Sequence, residues 1–146
     1  MVPILTRANL TYDLLITKRR NHARDLVANE DLNRWSAILI LSGDGLLYEA
    51  YQGIMMREDW NEARTIPMGI IAGGSGNGLA RTLCYEDQRK YVKNGILGSS
   101  LAISKGRFQP MDMIAVSNLS GKRFYSFLSI GWGFMADCDI ESEKIR

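Results

Sequence analysis

The sequence predicts an α/β fold: a parallel sheet with helices on both faces, followed by the start of a β-rich second domain. Apolar runs recur, each followed by a polar or glycine-rich turn and then a helical pattern. Those runs lack polar alternation, as expected of strands buried on both faces beneath helices. Beyond residue 98 the texture changes to short runs joined by turns, the pattern of antiparallel strands. Repeated strand–loop–helix order implies right-handed crossovers.

The first unit is an expected strand at Tyr12–Thr17, a basic turn Lys18-Arg19-Arg20-Asn21, and a helix over Ala23–Glu30 that Asn21 or Thr17 can cap. The second is a strand at Ser36–Leu41, the turn Ser42-Gly43-Asp44-Gly45, and a helix from Leu46 to about Arg57. Leu46, Leu47, Ala50, Tyr51 and Ile54 share one face of that helix, while Glu49, Gln52, Arg57 and Glu58 point elsewhere. Gly53 weakens such a helix, which close packing would explain. The third unit is a strand at Met68–Ala72, the loop Gly73-Gly74-Ser75-Gly76-Asn77-Gly78, and a helix over Leu79–Leu83. Strands are then expected at Leu101–Ser104, Met111–Val116 and Phe124–Ile130, with a last helix in the acidic-then-basic stretch from Phe134. The predicted division is therefore an α/β unit at 1–98 and the beginning of a β-rich unit at 99–146.

Composition narrows the function classes. With 146 residues, 46% of them hydrophobic, the chain suits one modest globular domain. A net charge of +2 offers no strongly basic field for nucleic acid. Cys84 and Cys138 make neither a disulfide framework nor a CxxC zinc motif, so a reducing, cytoplasmic setting is expected. The aliphatic stretch Ala37–Leu41 is too short to span a bilayer, and the first residues lack a signal-peptide layout. Trp35, Trp60 and Trp132 are expected to fill core or groove.

The glycine loops carry the candidate chemistry, because ligands of open α/β sheets bind beyond the carboxyl ends of the strands. In Gly73–Gly78, four glycines in six residues allow backbone N–H groups to approach phosphate oxygens, with the next helix N-terminus adding positive potential. A tight turn without ligand is the alternative. The loop is neither a dinucleotide fingerprint nor a Walker A motif, since Leu79 follows where glycine or lysine is needed. Asp44, between two glycines, suits a proton acceptor or metal holder at a transferred phosphate; equally it suits an N-cap or Asx turn for its own helix. Lys18-Arg19-Arg20, with His22 and Arg24, can line a phosphate site or form a solvated helix entrance. Glu49 is, by spacing alone, a solvated helix residue. Asp137, Asp139, Glu141 and Glu143 can meet a cationic group or serve as favourable charge near a helix start.

Taken together the segments resemble the sphingosine kinase family, a branch of the diacylglycerol-kinase-like lipid kinases. The resemblance covers nearly the whole chain. It rests on Thr17-Lys18-Arg19-Arg20-Asn21-His22-Ala23-Arg24, Ser42-Gly43-Asp44-Gly45-Leu46 with Glu49, Gly74-Ser75-Gly76-Asn77, and Trp132-Gly133-Phe134 with Ala136-Asp137 and Asp139-Ile140-Glu141-Ser142-Glu143-Lys144. It implies transfer of the ATP γ-phosphoryl group, with Mg²⁺, to the primary hydroxyl of a sphingoid base, in a cytoplasmic protein that touches membranes transiently. Asp44 is then the catalytic acid–base or hydroxyl-orienting residue. Thr17, Lys18, Arg19, Arg20, Asn21, Glu49, Gly74, Ser75, Gly76 and Arg146 match nucleotide contacts. Ser42, Gly43 and Gly45 would sit near the accepting hydroxyl; Asp139, with Ser129 a weaker candidate, would bind the polar head. The metal ligands are not identified. Ala72 stands where many relatives have proline, and Gly78 and Gly131 where alanine is common. The resemblance also implies an earlier strand with a glycine-rich loop and a later β-rich domain, so the chain is expected to be a middle portion of such a kinase.

Overall fold

The computed structural model describes residues 1–86 and 94–145. Its first helix, α1, covers Val2–Arg7, and α2 covers His22–Asn29, followed by a 3₁₀ turn at Leu32–Arg34. Strand β1 (Ile38–Ser42) leads into α3 (Asp44–Met55) and the short α4 (Trp60–Ala63) before β2 (Met68–Ala72). Helices α5 (Gly78–Glu86) and α6 (Gly95–Ser104) come next. The hairpin β3 (Ile114–Ser117) and β4 (Arg123–Ser126) precedes α7 (Phe134–Glu143).

β1 and β2 pair in parallel with Ile40 opposite Ile70 and Ser42 opposite Ala72, as apolar strands of a covered sheet should. Ile40 and Ile70 enter the core beside Leu47, Ala50 and Ile54 of α3, Val27 of α2, and Leu79 and Ala80 of α5. On the other face Gly69 meets Ile103 of α6, so helices cover both sides. The predicted α3 stripe is the observed one: Leu47, Ala50 and Ile54 are buried, with Leu46 and Tyr51 packed at the margin. Gly53 is there because α2 crosses at that point. A Cβ on it would strike the Arg24 carbonyl oxygen and stand 3.0 Å from Val27 Cβ.

Four expected strands come out differently. Tyr12–Thr17 pairs with nothing among the described residues; Leu14, Leu15 and Ile16 are exposed. An apolar run is a strand only when a partner edge accepts its ladder bonds. Leu101–Ser104 is the last part of α6, which Asn94 starts by accepting the Leu97 N–H at 3.1 Å. Helix α6 thus straddles residue 98, and Ser99 from it accepts the Ala72 N–H at the end of β2, at 3.1 Å. The later runs shrink to β3 and β4, paired antiparallel with Ala115 opposite Tyr125. Asn118 closes their turn by accepting the Ser120 and Lys122 N–H groups. Trp132 was expected in core or groove and instead is 95% exposed.

Candidate active site

Parallel register places Ser42 beside Ala72, so the two glycine loops leave the sheet side by side. Backbone bonds then fasten them: Gly73 N–H donates to Ser42 O at 3.1 Å and Asp44 N–H to Gly76 O at 3.2 Å. The approach is possible only without side chains. A Cβ on Gly43 would strike Gly76 O, and one on Gly74 would strike the Gly43 backbone. Asn77 shapes the second loop by accepting the Gly74 N–H at 3.0 Å and donating its amide to Gly74 O.

Asp44 opens α3, yet its carboxylate serves another helix. Oδ2 accepts the Gly78 N–H at 2.7 Å and Oδ1 the Leu79 N–H at 3.2 Å, so Asp44 caps α5 across the loop junction. A local cap or Asx turn for α3 was the expected structural alternative; the observed bonds are long-range. They also redirect the N-terminus of α5. Its first two amides face Asp44, not an incoming phosphate, which leaves the Ser75 hydroxyl and the exposed Ser75–Gly76 backbone as the loop's outward donors.

A cleft of about 710 Å³ lies over this junction, lined by Ser42, Gly43, Asp44, Gly45 and Leu46, by Gly74, Ser75 and Gly76, and by Asp139 of α7. Two carboxylates separated by 95 positions in the chain thus face one cavity. Asp139 is exposed, whereas Asp44 is half-buried. Ser129 does not line this cleft; its carbonyl accepts the Ser126 hydroxyl at 3.3 Å. Arg146 lies outside the described residues.

The basic stretch forms a second group that does not line the Asp44 cleft. Asn21 adopts a left-handed conformation (φ 61°) and donates its N–H to Glu49 Oε1 at 2.8 Å. Glu49 is therefore half-buried and tied to the loop, a correction to its expected solvation; its Oε2 is buried with no partner among the described residues. Lys18 N–H donates to His22 Nδ1 at 3.0 Å. Arg19 and Arg24 both grip Asp25, at 2.8 and 2.9 Å, and their hydrogen bonds hold that carboxyl below the ordinary carboxylate range. Thr17 lines a separate, mostly apolar groove of about 1170 Å³. Lys18 and Arg20 are exposed. The two groups share α3, which carries Asp44 on its first turn and Glu49 on its second.

Two contributors escaped sequence reasoning. Arg57 donates to the Val27, Ala28 and Glu30 carbonyls that end α2, and grips Asp59 at 2.6 Å. A basic residue just past a helix end is a known partner of orphan carbonyls, but it points to its own helix, not to a neighbour. Gln52 pairs with the backbone of Tyr125, and no local pattern announces such a contact.

Among the described residues, no group of three His, Cys, Asp or Glu side chains stands ready to hold a metal, and no helix is long and apolar enough to cross a membrane. Comparison with known proteins supplies the context for this geometry. The chain is 42% identical over 146 residues to sphingosine kinase 1 of Mus musculus, a match that spans 99% of this chain and 38% of that protein. It is 40% identical to sphingosine kinase 2 of Homo sapiens, across 100% of this chain and 23% of that protein. Sphingosine kinase 1 of Arabidopsis thaliana is 35% identical, across 99% and 29% respectively. The chain therefore spans well under half the length of these relatives. Residues 1–116 match the family described as the diacylglycerol kinase catalytic domain, and the chain belongs to that family.

Proposed function

We propose that this chain is catalytic-domain sequence of an ATP-dependent kinase for sphingoid bases, forming a sphingoid-base 1-phosphate in the whole protein. The observation that carries the proposal is the shared cleft: Asp44, both glycine loops and Asp139 line one cavity. The acceptor's primary hydroxyl would lie against Asp44, whose carboxylate is oriented by the α5 amides. As the hydroxyl oxygen bonds to the γ-phosphorus, its proton passes to Asp44 and the bond to the ADP oxygen breaks. Asp139 would pair with the substrate ammonium, which selects an amine-bearing lipid over ceramide or diacylglycerol. Ser42, Gly43 and Gly45 would surround the hydroxyl. Ser129 keeps a subsidiary head-group role as part of this proposal.

ATP fits the remaining groups. Gly74, Ser75 and Gly76 offer backbone and hydroxyl donors to phosphate, and Lys18 and Arg20 offer exposed charge. The Oε2 of Glu49, buried and without a partner among the described residues, is an acceptor that a nucleotide hydroxyl or amine would satisfy. Thr17, Arg19 and Asn21 shape that loop, and Arg146 completes the proposed nucleotide set. Mg²⁺ suits a cleft with few carboxylates, because it takes one or two of them beside phosphates and water; the unused lone pairs of Asp44 are its nearest candidates. The ion's role is to neutralise phosphate charge. Residues 1–98 would form the nucleotide-binding side and 99–146 the beginning of the lipid side, joined through α6. A cytoplasmic location with transient membrane contact follows from a lipid substrate met from water.

The test is Asp44→Asn in the protein assayed with sphingosine and Mg·ATP. Loss of a positioned acid–base group lowers turnover about 10²- to 10⁴-fold. Near-unchanged turnover would remove Asp44 from the chemistry.

A further inference from the structure

We infer that Gln52 is a positioning residue: its side-chain amide docks the β3–β4 hairpin on α3 and so sets where the lipid side, with Asp139, stands relative to Asp44. This inference rests on the kinase reading above. Gln52 Nε2 donates to Tyr125 O at 2.7 Å, and Tyr125 N–H donates to Gln52 Oε1 at 3.0 Å. The residues are 73 apart in sequence. In an antiparallel ladder one residue's N–H and C=O point to the same edge, so Gln52 satisfies the outer edge of β4 as a peptide group of another strand would.

The pairing is directional where the neighbouring contacts are not. Tyr51 meets Phe127 with ring centroids 5.4 Å apart, and Leu128 reaches the space beside Gly78. Apolar contacts of this kind hold the hairpin near α3 but tolerate a slide along the strand. Two opposed hydrogen bonds to a single residue do not, because a shift of one position turns the edge groups away. Only seven residues, 127–133, separate β4 from α7, which carries Asp139 into the cleft. Gln52 stands two turns beyond Asp44 on the same rigid helix. The clamp therefore links both sides of the cleft. Asparagine is one methylene too short for the reach, and glutamate keeps the acceptor while losing the donor.

The experiment uses Gln52→Leu and Gln52→Glu in the protein, with amide hydrogen exchange of Tyr125 read beside that of Ile70, and KM measured separately for sphingosine and for Mg·ATP. Gln52→Leu is expected to speed Tyr125 exchange roughly 5- to 30-fold, leave Ile70 unchanged, and raise the sphingosine KM with the Mg·ATP KM constant. Gln52→Glu, which turns a carboxylate oxygen toward Tyr125 O, should likewise speed Tyr125 exchange. Unchanged Tyr125 exchange would overturn the clamp. Faster Tyr125 exchange with an unchanged sphingosine KM would overturn the positioning role, as would equal rises in both KM values. If the wild-type protein phosphorylates no lipid, the kinase reading fails, and the exchange data still decide the clamp alone.

Discussion

Asp44 caps α5 in this structure and is the residue proposed to take the acceptor's proton; unfolding of a variant without its carboxylate isolates the first role. The carboxylate accepts Gly78 N–H at 2.7 Å and Leu79 N–H at 3.2 Å, so Asp44→Ala strips the first turn of α5 of both partners. The Gly78 bond is exposed and water can replace it cheaply; the Leu79 bond is partly buried, and Leu79 itself is 8% exposed. Lost caps cost about 0.5–2 kcal/mol, so the expected destabilisation is about 1–2 kcal/mol. Asp44→Asn keeps one carbonyl oxygen and turns an amide toward the other N–H, and should cost about half as much. The assay is urea unfolding at neutral pH. With a slope of about 2 kcal/mol per molar, Asp44→Ala should lower the midpoint by about 0.5–1 M. A midpoint equal to or above wild type would refute the trans-capping account and reduce Asp44 to an orienting side chain with no structural duty.

Three further outcomes follow from the same contacts. Gly74→Ala places a Cβ on the Gly43 backbone, which no rotamer change relieves; a loss of about 1–3 kcal/mol is expected in the same unfolding assay, and wild-type stability would mean the loops part easily. Gly53→Ala would gain about 1 kcal/mol from helix propensity, but the Arg24 carbonyl opposes it, so net destabilisation is expected and a raised Tm would contradict the packing. Arg57→Met tests a pH dependence: Arg57 hydrogen-bonds Asp59 and holds its carboxyl below the ordinary value of 3.8. A depressed carboxyl stabilises above its unfolded range and loses that contribution as pH falls through the lowered folded value. The stability gap between wild type and Arg57→Met should shrink on acidification without closing, since the α2 carbonyl bonds remain; a constant gap would deny the pair any linkage.

Most of the α/β layer was legible because burial on a sheet leaves a continuous apolar run, and β2 occupies the very residues predicted. The same signal failed where the run's surroundings decide. Tyr12–Thr17 holds an apolar run, Leu14-Leu15-Ile16, much like those of β1, but a strand needs a paired edge, and its sequence does not carry that information. Leu101–Ser104 belongs to a helix whose apolar residues favour no one face and which buries Ser99 and Ser100, so periodicity is silent and Asn94 alone marks its start. At the site, the membership of Asp44 and the Gly74–Gly76 loop followed from glycines at strand ends. Their mutual contact did not, because Gly43 and Gly74 are each explained locally as turn residues until the other is seen against it. Glu49 shows the limit most clearly: helical spacing places it away from the core face, and the Asn21 amide that claims it arrives from 28 residues away.

In the proposed function Asp139 and Asp44 act on one amine-bearing acceptor in one cleft. Steady-state phosphorylation of sphingosine, ceramide and diacylglycerol by wild type and Asp139→Ala tests it directly. Wild type is expected to favour sphingosine strongly, and Asp139→Ala to erode that preference through a raised sphingosine KM. Comparable use of all three lipids by wild type, or an unchanged sphingosine KM in Asp139→Ala, would contradict it.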